Sequence, residues 1–303
     1  MLQFWQVLKK ATTEFFSDNG VKLSASLSYY TIFSIGPVLI IIISLAGIFF
    51  GREAVQGKIY GQINGLVGNS AALQIQDIIK NIEQSQLSAS GAVLGFIFLI
   101  IGATGVFTEI QDSINYIWSI KAKPKRGLLH LLMNRLISFS LIVSFGFILL
   151  VSLIINAFVE LLRDRLASFF DHDSVILFQV VNYVILYAII TSLFAIIFKV
   201  LPDAKIRWKD AFIGAAFTAV LFLAGKFLIG FYLSNSNIGV TYGAAASIVL
   251  LLLWVYYTSI ILYFGAEFTK VYTIDHGGGI EPDKAAVFII KQESREISQR
   301  KIG

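Results

Sequence analysis

The side chains able to do chemistry in this chain are few, and most lie within or beside long apolar stretches. Cysteine is absent, which removes disulfides, thiolate metal sites and sulfur nucleophiles. The histidines His130, His172 and His276 are far apart in sequence and share no helical i, i+4 pairing, so no histidine-based metal centre is predicted. What remains are Lys226, Glu267, Glu109, Tyr242 and Tyr29. An ionisable group in lipid is costly and marks a pathway, a ligand or a partner. These five are the candidate substrate-contacting residues. No catalytic residue, metal or cofactor is expected.

Depth decides which of them can meet. Lys226 lies about four residues beyond the middle of its predicted helix, on the outer side, roughly 6 Å from the midplane. A cation there suits an anionic head group or solute; the plainer reading is snorkelling toward the outer surface. Glu267 sits near the opposite end of its own helix. The axial gap is about 15 residues, roughly 22 Å, too far for an ion pair. Glu109 and Glu267 share one depth, where they either flank a polar pocket or serve as ordinary interfacial carboxylates. Residues 108–118 extend the second helix past the lipid, with Ile110, Ile114 and Ile117 on one side and Glu109, Asp112 and Asn115 on neighbouring faces. That polar face suits head-group or ion contact, or plain solvation. Ser24, Ser26, Ser28 and Tyr29 precede Pro37 in the first helix; small polar residues there either pack helices closely or line a cavity.

These residues need a membrane to hold them. The chain has 303 residues, 56% hydrophobic and 14% charged, with a mean hydropathy of +0.77, whereas soluble domains carry roughly 25% charged residues. Charge-free stretches predict an all-α, polytopic protein with six spanning helices near 31–50, 91–107, 136–158, 175–198, 211–233 and 244–268. The polar run 234–243 separates the last two. Residues 1–30 form a cytoplasmic amphipathic segment, 31–270 the transmembrane domain and 271–303 a cytoplasmic tail. With the N-terminus inside, 18 of the 24 Lys and Arg residues fall on inside segments and 5 outside, which sets an N-in, C-in topology. The net charge of +5 and pI near 9.2 reflect that topology rather than nucleic-acid binding.

Smaller features follow. Trp118 and Trp208 stand at predicted inner boundaries, where aromatic belts occur. Residues 3–22 read as an interfacial helix with Phe4, Val7, Leu8, Ala11, Phe15 and Phe16 on one side. They are too polar for a signal peptide. The outer loop 52–90 reads as short amphipathic helices. Gly91-x-x-x-Gly95 and Ala211, Ala215 and Ala219 read as packing seams. Gly277-Gly278-Gly279 reads as a flexible hinge, with 280–303 mobile or weakly helical.

Several segments resemble the YihY/virulence factor BrkB family of bacterial inner-membrane proteins. They are 25–30 leading to Gly36-Pro37, 104–107 with Gln111-Asp112 and Ile117-Trp118, Leu201-Pro202-Asp203 with Trp208, Gly225-Lys226 with Tyr232, 242–245, and 253–257 ending in 265–269. They run in order along nearly the whole chain. The resemblance implies six spanning helices and residence in the bacterial inner membrane, and little chemistry. Some members have carried a ribonuclease BN label. The residues here do not support it, because a hydrolytic nuclease needs clustered metal ligands or a histidine acid–base pair. The reading that follows is a non-enzymatic membrane protein that transports or handles a lipid or an anionic solute, with membrane lipids and other envelope proteins as partners. The alternative is a membrane scaffold.

Overall fold

The computed structural model describes residues 2–34, 73, 76, 105–123, 173–234 and 246–291. The predicted span near 136–158, that near 91–107 apart from 105–107, most of that near 31–50, the outer loop apart from Leu73 and Gln76, Tyr242, and the tail beyond 291 lie outside them.

The described elements are α1 (Leu2–Ser17), α2 (20–34), α3 (105–117), β1 (Ile120–Ala122), α4 (Asp173–Val200), β2 (Ala204–Lys205), α5 (Trp208–Ser234), α6 (Ala246–Asp275), β3 (Glu281–Pro282) and β4 (Ala286–Phe288). Helices α4, α5 and α6 contain stretches long and apolar enough to cross a membrane: Tyr183–Val200, Trp208–Tyr232 and Ile248–Asp275. Phe227, Leu228 and Phe231 on α5 and Tyr183 and Val184 on α4 stay exposed. Such a surface is stable against lipid, where exposed apolar side chains cost nothing.

With lipid outside, helices associate by close packing rather than by hydrophobic force. The α5–α6 contact shows how. Gly214 of α5 lies directly against Thr269 of α6, and Gly265 of α6 against Thr218 of α5. Each threonine fills the notch left by the other helix's glycine. Each hydroxyl is satisfied within its own helix: Thr218 donates to the Gly214 carbonyl (2.7 Å) and Thr269 to the Gly265 carbonyl (2.6 Å). Ala211, Ala215 and Ala219 are wholly buried on the same helix, the seam that the sequence predicts.

At one end of these helices the short elements gather. Pro202 follows α4 and cannot continue its hydrogen-bond ladder. Asn115 of α3 grips the next residue from both sides: its amide nitrogen donates to Asp203 Oδ2 (2.9 Å) and its oxygen accepts from the Asp203 backbone (2.8 Å). At the start of α5, Asp210 accepts from Arg207 Nε (3.0 Å) and from the backbone N–H of Gly278 (3.0 Å).

Three expectations are corrected here. The chain is not purely α-helical: β1 pairs antiparallel with β4, and β2 with β3. The glycine run is an ordered helix cap, with Gly277 and Gly279 donating to the Thr273 carbonyl (3.1 and 3.0 Å) and Gly279 at φ +80°, the left-handed conformation that closes a helix. Residues 281–291 therefore fold back onto the helix ends, so this part of the predicted tail is neither mobile nor helical. Trp118 is only 2% exposed and its indole N–H donates to the Ala266 carbonyl (3.0 Å); it is a core residue, whereas Trp208 is 50% exposed.

Gly265→Ala should lower the unfolding temperature in detergent, because the new methyl must displace Thr218 at about 1–3 kcal/mol. Adding Thr218→Ala should recover most of the loss. Equal melting of all variants would show that the seam is not tight.

Candidate functional site

Helix α1 carries two kinds of residue on one face. Val7, Ala11 and Phe15 recur at helical spacing and are buried. Glu14 and Asp18, four residues apart, project from the same side. The apolar members pack on α6: Phe15 meets Phe264 edge-on (5.7 Å between centroids), and Phe4 meets Phe268 (5.9 Å), which stacks on Phe217 of α5 (3.9 Å). The predicted amphipathic helix thus buries its apolar side against the bundle. Phe4, Trp5 and Phe16 stay exposed.

Packing α1 there drives its two carboxylates against Lys270 of α6. The Lys270 ammonium lies 2.6 Å from Glu267 Oε1, 2.7 Å from Glu14 Oε2 and 3.3 Å from Asp18 Oδ2. Glu267 is 0% exposed. One cation is thereby shared by three carboxyl groups, from α1, from the turn that follows it and from α6. A second lysine arrives from the folded-back tail: Lys291 pairs with Asp18 Oδ2 at 2.5 Å, donates to the Ile117 carbonyl (3.3 Å) and covers the Tyr116 ring (4.5 Å). Burial depresses the Lys291 ammonium, with Asp18 opposing that shift. For Glu14, burial pushes the carboxyl up, but Lys270 outweighs it and holds the group below the ordinary carboxylate range. Lys10 and Asp275 close the outer edge at 2.9 Å.

A second polar group lies deeper along the helices. The pairings Gly214 with Thr269, Thr218 with Gly265 and Gly225 with Tyr257 set Lys226 level with the Trp254–Tyr257 turn of α6. Phe222, one turn before Lys226, touches both Phe194 of α4 (5.9 Å) and Trp254 (6.4 Å). Lys226 follows it on that face and is half-buried. Trp254 keeps its indole N–H buried with no acceptor among the described residues. The Tyr257 hydroxyl rests against Gly225. A cation, an unmet N–H donor and a hydroxyl are the groups that an anion would satisfy.

Of the residues singled out from the sequence, Glu267 falls in the buried ion network and Lys226 beside the donor turn. Glu109 is half-buried on α3; with Asp112 and Ser113 it lies near Tyr263, one turn before Glu267 on α6. Tyr29 is 60% exposed and packs on Phe33 (4.9 Å), away from both sites. Sequence reasoning missed Glu14, Asp18, Lys270 and Lys291. The first three carried a readable signal. Acids at i, i+4 on the apolar side of α1, and Glu267-x-x-Lys270 in an apolar helix, ask for partners. Lys291 had none, since its role depends on the tail folding back.

The family model described as Virulence factor BrkB matches residues 11–288. A UPF0761 membrane protein of Azotobacter vinelandii is 30% identical over 274 residues, 88% of this chain and 62% of that protein. One from Psychrobacter sp. is 26% identical over 266 residues, 86% of this chain and 47% of that protein. Another from Psychromonas ingrahamii is 26% identical over 295 residues, covering 94% and 90%. The chain thus spans only about half to three-fifths of the Psychrobacter and Azotobacter proteins. No solved structure matches.

Because Glu14 titrates lower in the folded chain than the ordinary 4.5, its stabilising contribution is full above that value and is lost as pH falls through the folded one. Glu14→Gln should therefore flatten the acid side of the stability curve, measured by thermal unfolding across pH. An acid limb that is unchanged would remove Glu14 from the network.

Proposed function

This chain belongs to the virulence factor BrkB family of membrane proteins, and from that premise we propose that it binds and moves the anionic group of a lipid or solute within the inner membrane. In this reading six helices span the bilayer with both termini inside. The Glu14–Lys270–Glu267 network then closes the cytoplasmic end, and Lys226 stands in the outer half.

One observation carries the proposal. Lys226 is set level with a turn of α6 whose Trp254 indole N–H is buried with no acceptor among the described residues. Donating groups without acceptors are costly in a low-dielectric interior, and lipid supplies no competing water. An anionic phosphate or carboxylate would accept from that indole N–H and be attracted by the Lys226 charge. The membrane setting makes such a contact stronger than it would be in water. Lys226, the one charged residue of α5 after its first turn, has no comparable use as a simple packing residue, because methionine or leucine would fill that volume more cheaply.

The test compares full-length wild type with Lys226→Gln and Lys226→Arg. Binding of a phosphatidylglycerol probe to protein in phosphatidylcholine nanodiscs should fall about tenfold or more in the glutamine variant, the loss of one charged hydrogen bond. Arginine should retain most of it. In cells lacking the protein, Lys226→Gln should fail to restore the lipid and solute profile. Full complementation by both Lys226→Ala and Lys226→Gln would overturn the proposal.

A further inference from the structure

The charges of the α1–α6 junction do not balance as they stand. Among the described residues, three carboxyl groups, Glu14, Asp18 and Glu267, meet two ammonium groups, Lys270 and Lys291. The neighbouring pair of Lys10 and Asp275 is complete in itself. Fully ionised, the cluster would keep one uncompensated negative charge in a site where Glu267 is wholly buried, and a buried unpaired charge is among the most expensive features a protein can hold.

The second oxygen of Glu267 locates the imbalance. Oε1 accepts from Lys270 (2.6 Å), while Oε2 is buried and no donor among the described residues reaches it. The Lys270 ammonium holds Glu267 Oε1 (2.6 Å) and Glu14 Oε2 (2.7 Å) at once, which brings the two carboxyl groups together. Two carboxylates have only acceptors to offer each other, so such an approach is favourable only with a proton between them.

We infer that the α1–α6 junction is a proton-binding site in which Glu267 carries a proton and donates it to the Glu14 carboxylate. One proton satisfies Oε2, joins the two helices by a short charge-assisted hydrogen bond and brings the cluster to neutrality. Among the described residues, the charged or titratable groups facing Glu267 are Glu14 from α1, Asp18 from the turn after it, Lys270 from α6 and Lys291 from the tail, which itself covers Tyr116 of α3. From α5 the neighbouring contacts are Phe217 and Thr218, which do not titrate. Releasing the proton leaves the net negative charge between α1 and α6, so the site couples proton occupancy to the hold of α1 on the bundle. The site stands on this geometry alone and does not depend on what Lys226 binds.

Infrared difference spectroscopy on the full chain in phosphatidylethanolamine and phosphatidylglycerol nanodiscs reads the proton directly. At about pH 7, where ordinary carboxyls are ionised, wild type should show a protonated-carboxyl stretch that disappears on alkaline titration. The band should be absent from Glu267→Gln and from Glu14→Gln. It should survive Asp112→Asn, the control for a carboxyl that burial and the neighbouring Glu109 and Asp203 also push up. Glu267→Gln mimics the protonated side chain, so it should fold and retain its unfolding temperature at about pH 7 within a few degrees. No band in wild type, a band unchanged in Glu14→Gln or lost in Asp112→Asn, or a Glu267→Gln chain that does not fold, would each overturn the site.

Discussion

The described part of this protein hangs on one ammonium group. Lys270 of α6 meets carboxyls from its own helix and from α1 within about 3.3 Å, and Asp18 passes the contact on to Lys291 in the tail. Burying charges is not in itself a route to stability, since desolvation offsets much of the attraction. Its effect is on register. Once these groups are out of water, sliding α1 by one turn leaves a charge without its partner. The aromatic contacts of Phe4 and Phe15 with α6 supply adhesion that tolerates small shifts, and the ion network selects among them.

Around that junction, lipid sets the rules. The α5–α6 seam brings two helices together through glycine notches filled by threonine methyls, with each hydroxyl returned to its own backbone. That arrangement leaves no polar group of the seam facing hydrocarbon, as a low-dielectric surrounding demands. Asn115 and Asp203 do the equivalent at the helix ends: the Asn115 amide oxygen accepts from the turning Asp203 backbone, and its nitrogen donates to the Asp203 carboxylate. Trp254 breaks this pattern of satisfaction, and the break lies level with Lys226. Thr191, Tyr263 and Thr273 also keep buried hydroxyls without a partner among the described residues, but it is the Trp254 turn that the glycine pairings set level with Lys226, and on that the anion-binding proposal rests.

The long helices α4, α5 and α6 were legible because apolar runs of their length fit little besides a membrane span. The small-residue stripe of α5 was legible because Ala211, Ala215 and Ala219 repeat every four residues. The tail was not. Strands of two or three residues carry no alternation to read, and β3 and β4 exist only because β1 and β2 present edges to them. The burial of Trp118 was hidden for a related reason: an interfacial tryptophan and one donating to a distant carbonyl have the same local sequence. Glu14 and Asp18 showed their helical spacing, but the side they share reads as amphipathic until Lys270 is placed opposite. Pairing across 250 or so residues is information that no local window holds.

The central claim is that the α1 and α6 charges act as one unit. A double-mutant cycle on Glu14→Gln and Lys270→Met, with unfolding followed in mild detergent, measures that directly. Coupling of about 2 kcal/mol or more is the predicted result, because Lys270→Met strands buried carboxylates and removing the Glu14 charge relieves part of that cost. Additive effects, with coupling below about 0.5 kcal/mol, would show that α1 is held by its aromatic contacts alone, and would contradict the account.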